Sequence, residues 1–374
     1  MDLETYNCAD IRVGTYKYAE TAEVILFTYA IDDGPVGCWD LTTHPGIDNM
    51  PRDLFDAIIK VQRGESTITA HNSMFDRNVL RLGNLKIEIP IARWRDTMVQ
   101  AYCHALPGSL DALGKVLGLP QDQQKLADGK ALIRRFCKPA PRNHKADRYD
   151  QHTHPEQWAA FVEYAKQDIS AMRECHKRMP TWNWEASTIA EWHLDQKIND
   201  RGFKVDMELA HAGAQAAIVE KERLTTRFAE ITGGLSPGQH KAVLNYLNEV
   251  WGLGLESAAK EILLPMTQDE NLPDELRELC QLKCDANKTS TAKYGAIAEA
   301  TSEDGRFRGG LQFAGASRTR RWAGRKFQPQ NLPSRGLPDD VDDYIEALKA
   351  GVHDLLFDDL MLYGAAALRG LVIV

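Results

Sequence analysis

Four acidic side chains, spread over three distant segments, constrain the fold of this chain more than any other feature. They lie in Asp2-Leu3-Glu4-Thr5, in Asn72-Ser73-Met74-Phe75-Asp76 and in Tyr164-Ala165-Lys166-Gln167-Asp168. Residues 1–5 read as part of a strand, where side chains two apart share a face, so Asp2 and Glu4 point the same way. Residues 67–71 read as a second strand running through Asn72 into a helix that opens at Met74, which sets Asp76 close to the strand end. Tyr164 and Asp168 are four apart on a helix and neighbour each other on one face. The three segments can converge on one pocket.

Such convergence is costly without counter-charge. At about 4 Å and an effective dielectric near 20, each close carboxylate pair costs on the order of 4 kcal/mol. Hard divalent cations with oxygen ligands, Mg²⁺ or Mn²⁺, are the natural remedy. Two such ions about 3.5–4 Å apart clamp the attacking and leaving oxygens of a phosphodiester. The expected chemistry is metal-assisted hydrolysis of a nucleic acid backbone.

Taken in order, Asp-x-Glu-Thr, Asn-x-x-Phe-Asp and Tyr-x-x-x-Asp resemble the 3′–5′ proofreading exonuclease domain of family A DNA polymerases, the subtype with tyrosine in its third motif. Further segments carry the same resemblance. Leu194-Asp-Gln-Lys-Ile-Asn-Asp-Arg-Gly-Phe-Lys-Val-Asp206 is similar to the opening of the polymerase region. Ser317-Arg-Thr-Arg-Arg-Trp-Ala-Gly-Arg-Lys-Phe-Gln-Pro-Gln-Asn-Leu-Pro333 resembles the primer-template stretch as phage polymerases carry it, and Ala367-Leu-Arg-Gly370 the approach to the first palm motif.

The resemblance implies a ribonuclease-H-like mixed-sheet exonuclease domain over 1–180. A mainly helical, thumb-like start of the polymerase region follows over 181–305, and a primer-template-binding stretch with a truncated palm approach over 306–374. It implies that Asp2, Glu4 and Asp168 hold a first metal and that Asp2 and Asp76 place a second. Tyr164 with Glu4 would orient the attacking water, its phenol protonated at working pH. Thr5 and Asn72 would hydrogen-bond a terminal nucleotide; Phe75 would stack on a base or else be core. Arg318 and Arg321 would contact phosphates, and Gln330 and Asn331 the DNA backbone. The family usually has glycine where this chain has Arg320.

The polymerase aspartates of the family lie beyond the matched region, so the expectation is a chain that degrades DNA and does not synthesise it alone. A split polymerase with a separate polymerase half is one expected setting; a noncatalytic DNA-binding or assembly subunit is the alternative. Met1 directly before Asp2 suggests further apolar residues upstream, because an α-amino group beside a metal ligand opposes cation binding. The expected partners are a single-stranded DNA 3′ end and primer-template DNA.

A net charge of −8 over 374 residues does not itself suggest nucleic acid. The sign is uneven, however: Arg306, Arg308, Arg318, Arg320, Arg321, Arg325, Lys326 and Arg335 occur with no acidic residue between them. A local basic strip matters more to phosphates than the total. No apolar run reaches membrane-span length and no signal peptide is evident, so the expected location is the cytoplasm, of the host cell if phage-encoded. Seven cysteines without a Cys-x-x-Cys fit free thiols, with Cys280 and Cys284 as helix-packing residues.

Alternating patterns predict strands over 1–5, 24–31, 36–41 and 67–71, and helices over 52–63 and 109–117, the latter capped by Ser109. A long helix after Pro155 carries Tyr164. The basic stretch 125–148 reads as a solvated loop, flanking a DNA entrance being the alternative. His152 and His154 lack partners at zinc-ligand spacing. Helices are expected over 186–199, 208–231, from Ser236, over 273–283 and over 286–300, with the domain boundary at Pro180–Thr181.

Overall fold

The computed structural model describes residues 1–120, 129–143, 146–316, 319–334 and 336–373. Arg318, Arg335 and part of the 125–148 stretch lie outside the described residues. The chain forms two compact units, Met1–Gly202 with Ala300–Arg325, and Phe203–Glu299 with Lys326–Val374.

In the first unit, strand β1 (Asp2–Tyr6) is followed by helix α1 (Thr15–Thr21) and strands β2 (Glu23–Ala30) and β3 (Val36–Asp40). Helix α2 (Arg52–Gln62), strand β4 (Ile68–Ala70), helix α3 (Ser73–Leu82) and strand β5 (Trp94–Asp96) come next. Helices α4 (Thr97–Cys103), α5 (Leu110–Val116), α6 (Gly129–Phe136), α7 (Pro155–Arg178) and α8 (Ala186–Arg201) complete the run. β1, β2 and β3 pair antiparallel, whereas β4 and β5 pair parallel. The Met1 amino group donates to Thr69 O at 2.8 Å, which sets the start of β1 beside β4.

β2 is apolar along both faces because both are covered. Val24, Phe27 and Tyr29 join one core with Trp39, Ile58 and Trp94. Ile25 and Leu26 join a second with Phe136, Trp158, Phe161 and Tyr164. Two consecutive residues facing the same core breaks strand alternation. The break lies opposite the register shift between Glu4 and Thr5 in β1, where a bulge re-aims the strand.

Most expected elements are present within a residue or two. Ser109 caps α5, its hydroxyl accepting from Ala112 N at 3.2 Å, and Pro155 opens α7 at a position where a missing N–H costs nothing. Three features differ. The 125–148 stretch contains α6, whose Phe136 stacks on Phe161 at 5.3 Å, so this part is a packed helix and not a solvated loop. No boundary falls at 180, because α8 belongs to the first unit: Trp192 is 1% exposed in its core. The hairpin Leu311–Ala316/Arg321–Gly324 also belongs there, through Phe313 and Ala314.

The second unit is mainly helical. Helix Met207–Thr232 begins at Asp206, whose carboxylate accepts from Leu209 N, and ends at Gly233, where φ of 71° needs glycine's freedom. The next helix starts at His240 and not at Ser236; Pro237 O is already occupied, accepting from Lys283 Nζ and Asn287 Nδ2. A break after Ala286 separates helix Asp274–Ala286 from helix Ala292–Ala300, so the helix expected from 286 starts six residues later. Cys280 and Cys284 are buried in this core, as packing residues. No helix among the described residues is long and apolar enough to cross a membrane.

Candidate metal centre

Asp2 and Glu4 leave β1 on the same side, and Asp168 reaches them from α7. One carboxylate oxygen from each lies within 4.8 Å of the others. Glu4 and Asp168 are buried and Asp2 is half-buried. Three like charges at this spacing repel by about 3–4 kcal/mol per pair at an effective dielectric near 20. The donors are all carboxylate oxygens, a set that suits a hard divalent ion such as Mg²⁺ or Mn²⁺ and poorly suits zinc or copper.

Asp76 stands apart from this trio yet next to it. Its carboxylate accepts from Leu3 N at 3.1 Å, so it occupies the edge of β1 between the two ligand positions. Burial first, and then the charge of Asp2, pushes its pKa well above the ordinary carboxyl value; the Met1 ammonium and the Leu3 hydrogen bond pull the other way. The Met1 amino group is itself lowered by burial, with Asp76 and Asp2 opposing.

Tyr164 lies one turn before Asp168 on α7 and is fully buried, its ring parallel to Phe161. Burial, then the charges of Asp168 and Glu4, raise its pKa far above that of free tyrosine. The phenol therefore stays protonated. Its ring is covered by α6, where Gly129 packs so closely that a Cβ would overlap it.

The remaining site residues divide. Thr5 is 4% exposed and its hydroxyl already pairs with Tyr18 OH at 2.9 Å. Phe75 is half-buried, its ring tilted against Tyr18 at 5.8 Å, and joins the core while keeping one side exposed. Asn72 takes a left-handed backbone, φ 69°, at the start of α3. Arg321, Gln330 and Asn331 are exposed; Arg318 lies outside the described residues. Within the basic strip Arg308 is paired with Asp304 (Nη1 to Oδ1 2.9 Å), an acid just upstream, so this arginine does not add free positive charge.

Three residues of the site escape a reading by acidic spacing. Asp96, buried at the junction of β5 and α4, accepts from Ser73 N (2.7 Å), Ser73 Oγ (2.8 Å), Asn72 N, Met98 N and Val99 N. One carboxylate thus caps α4 and fixes the start of α3, the helix of Asp76. The signal that could have found it is an aspartate ahead of a helical run. Cys137 places its thiol 3.7 Å from Glu4 Oε2. Gly129 is the third; neither residue has a local sequence signature.

A DNA polymerase of Bacillus phage SP02 is 35% identical over 373 residues, which cover 97% of this chain and 55% of the relative. The chain spans about half the length of the curated relative it matches. No family model matches. Among solved structures, the POL domain of Pol1 from M. smegmatis, in complex with DNA primer-template and dNTP, aligns with a TM-score of 0.49 and 14% identity over 84% of this chain and 51% of that one.

Proposed function

We propose, for a chain that resembles phage-like family A DNA polymerases along nearly its whole length, that its first unit is a two-metal 3′–5′ exonuclease acting on single-stranded DNA ends during replication. The observation that carries this reading is the meeting of Asp2, Glu4 and Asp168 from β1 and α7, with Asp76 against the same strand. Three antiparallel strands beside a parallel pair, with the acids on the first strand, support a ribonuclease-H-like fold. The second unit is read as the helical, thumb-like start of a polymerase region, with Gln330 and Asn331 as contacts to the primer-template backbone, while Arg321, in the first unit's hairpin, is read as a phosphate contact.

Asp2, Glu4 and Asp168 would hold one Mg²⁺ or Mn²⁺, and Asp2 with Asp76 would place a second. Such ions supply an activated water and charge stabilisation at the phosphodiester. The chain's own residues do the rest. Tyr164, kept protonated, donates a hydrogen bond toward the attacking water, while Glu4 accepts from it. Asn72 and the exposed side of Phe75 flank the start of α3, where a terminal nucleotide can be hydrogen-bonded and stacked.

The test is digestion of a 5′-labelled single-stranded oligonucleotide by purified protein. Shortening from the 3′ end that requires Mg²⁺ or Mn²⁺ is expected, and Asp168→Ala should reduce it by at least about 1,000-fold, the several kcal/mol of one metal-held charge. Undiminished digestion by Asp168→Ala would overturn the reading.

A further inference from the structure

The carboxylate site leaves one prominent surface of the first unit unexplained. Trp182 is 68% exposed and Trp322 is 46% exposed, and single indoles that open to water are uncommon in a folded unit. Neither belongs to a loose segment. The Trp182 ring meets His104 edge-on at 5.0 Å. Beside it Asn183 N donates to His104 Nε2 (3.3 Å), Asn183 Nδ2 to Cys103 O (3.1 Å), and Gln100 Nε2 to Pro180 O (3.0 Å). Trp322 donates from its indole to Asp195 Oδ1 at 2.7 Å and sits edge-on to Phe313 at 5.3 Å. Both rings are therefore held out into solvent by fixed contacts.

The two tryptophans belong to one surface. The Arg320 guanidinium reaches Cys103 Sγ at 3.9 Å, beside the His104 that supports Trp182, and Arg320 is two residues from Trp322. Arg320 and Arg321 are exposed. Arg320 adopts φ 53°, a left-handed backbone that costs a residue with a Cβ roughly 1 kcal/mol. A strained, exposed arginine between two exposed indoles is what a ligand with flat rings and negative charge would select.

Its position along α4 from the start of α3, the helix of Asp76, bears on the ligand. α4 begins at Asp96, which holds Asn72 and Ser73 at the start of α3, and ends at Cys103, against Asn183 and Arg320. Seven helical residues span about 10 Å. We infer that Trp182, Arg320, Arg321 and Trp322 form a single-stranded DNA platform, on which bases stack and phosphates meet guanidinium groups, for the strand whose end enters the carboxylate site. Stacking accepts any base, as a strand of arbitrary sequence requires. This rests on the nuclease reading for the strand's destination, but its test does not use catalysis.

The test measures binding of a fluorescein-labelled 12-mer oligothymidylate to the full chain by anisotropy, in EDTA, so that hydrolysis plays no part. Trp182→Ala and Trp322→Ala should each weaken binding roughly 5- to 100-fold, as loss of one base–aromatic stack does. Trp182→Phe should recover most of it. Arg320→Gly, which relieves the backbone strain, should lower the log–log salt slope by about 0.7. A blunt 12-bp duplex should bind these variants as it binds the parent. Should Trp322→Ala unfold, Trp182→Ala carries the test, since its ring is the more exposed. Parental oligothymidylate affinity in Trp182→Ala and Arg320→Gly would overturn the inference and leave the surface to a protein partner; equal loss on duplex would overturn it too. Loss of binding with no metal-dependent hydrolysis would keep the platform and sink the nuclease reading.

Discussion

The first unit buries charge in two opposite ways. At one place Arg77 and Asp200 cancel: two parallel hydrogen bonds of 2.8 and 2.7 Å join them, with Gln196 and Tyr16 OH completing the set. Against burial, the Arg77 guanidinium holds Asp200 below the ordinary carboxyl range. At the other place Asp2, Glu4 and Asp168 share one sign. The first cluster is complete within the protein and ties α3 to α8. The second gathers carboxylates of one sign within 4.8 Å, a repulsion that a divalent cation would offset. Buried like charge marks a place where something binds; buried opposite charge marks a place where the chain is joined to itself.

Asp195 is an intermediate case, a lone carboxylate among neutral donors. It accepts from Trp322 Nε1, Gln196 Nε2 and Asn199 Nδ2, yet burial outweighs these bonds and raises its pKa to about 6.

Three perturbations test the contrast. Arg77→Met removes both short bonds to the half-buried Asp200, leaving it the longer contact with Arg81 (3.5 Å) and the bond from Tyr16, and should cost about 3–4 kcal/mol in urea unfolding, with or without divalent metal. Arg77→Met/Asp200→Leu should recover much of the loss; equal loss in the double variant would mean that packing, and not charge, joins α3 to α8.

Asp195 gives the next effect. Its folded pKa is raised from 3.8 to about 6, so the protonated form favours folding. Its stabilisation is fully present below about pH 4 and is lost as pH rises through about 6, by on the order of 3 kcal/mol. Relative to Asp195→Asn, the parent should weaken by that amount between pH 4 and 7.5. A pH-independent difference would show that the three donors hold the carboxylate ionised throughout.

Metal linkage gives the smallest effect. Mn²⁺ at about 100 times its dissociation constant should stabilise the parent by roughly 2.7 kcal/mol. Asp168→Asn should lose that gain, while without metal it is no less stable than the parent, because one like charge has gone. An unchanged Mn²⁺ response in Asp168→Asn would place the ion elsewhere. Arg77→Met should keep the response, if reduced in stability.

Much of this arrangement is legible in the amino-acid sequence. Strand period two places Asp2 and Glu4 on one side, helical period four places Tyr164 beside Asp168, and Ser109 and Pro155 mark helix starts through backbone hydrogen-bonding needs that are local. Other elements are not legible. Strand β5 has three residues and α4 seven, too short for periodicity to declare. Helix α6 reads as a charged loop because its polar face dominates, and it is fixed by two residues, Gly129 against Tyr164 and Phe136 against Phe161.

Linear order was enough for the inventory: which acids share a face, where helices begin, and that a same-sign cluster of carboxylates suits a hard cation. These follow from spacing and from charge, which act at short range along the chain. The partners of each group came only from folding in three dimensions. Folding put Asp76 against the Leu3 backbone instead of into the trio, engaged Thr5 with Tyr18, paired Arg308 with Asp304, and gathered Asn72 and Ser73 around the Asp96 carboxylate. Each depends on residues brought together by burying apolar surface, a force without direction that no spacing rule encodes.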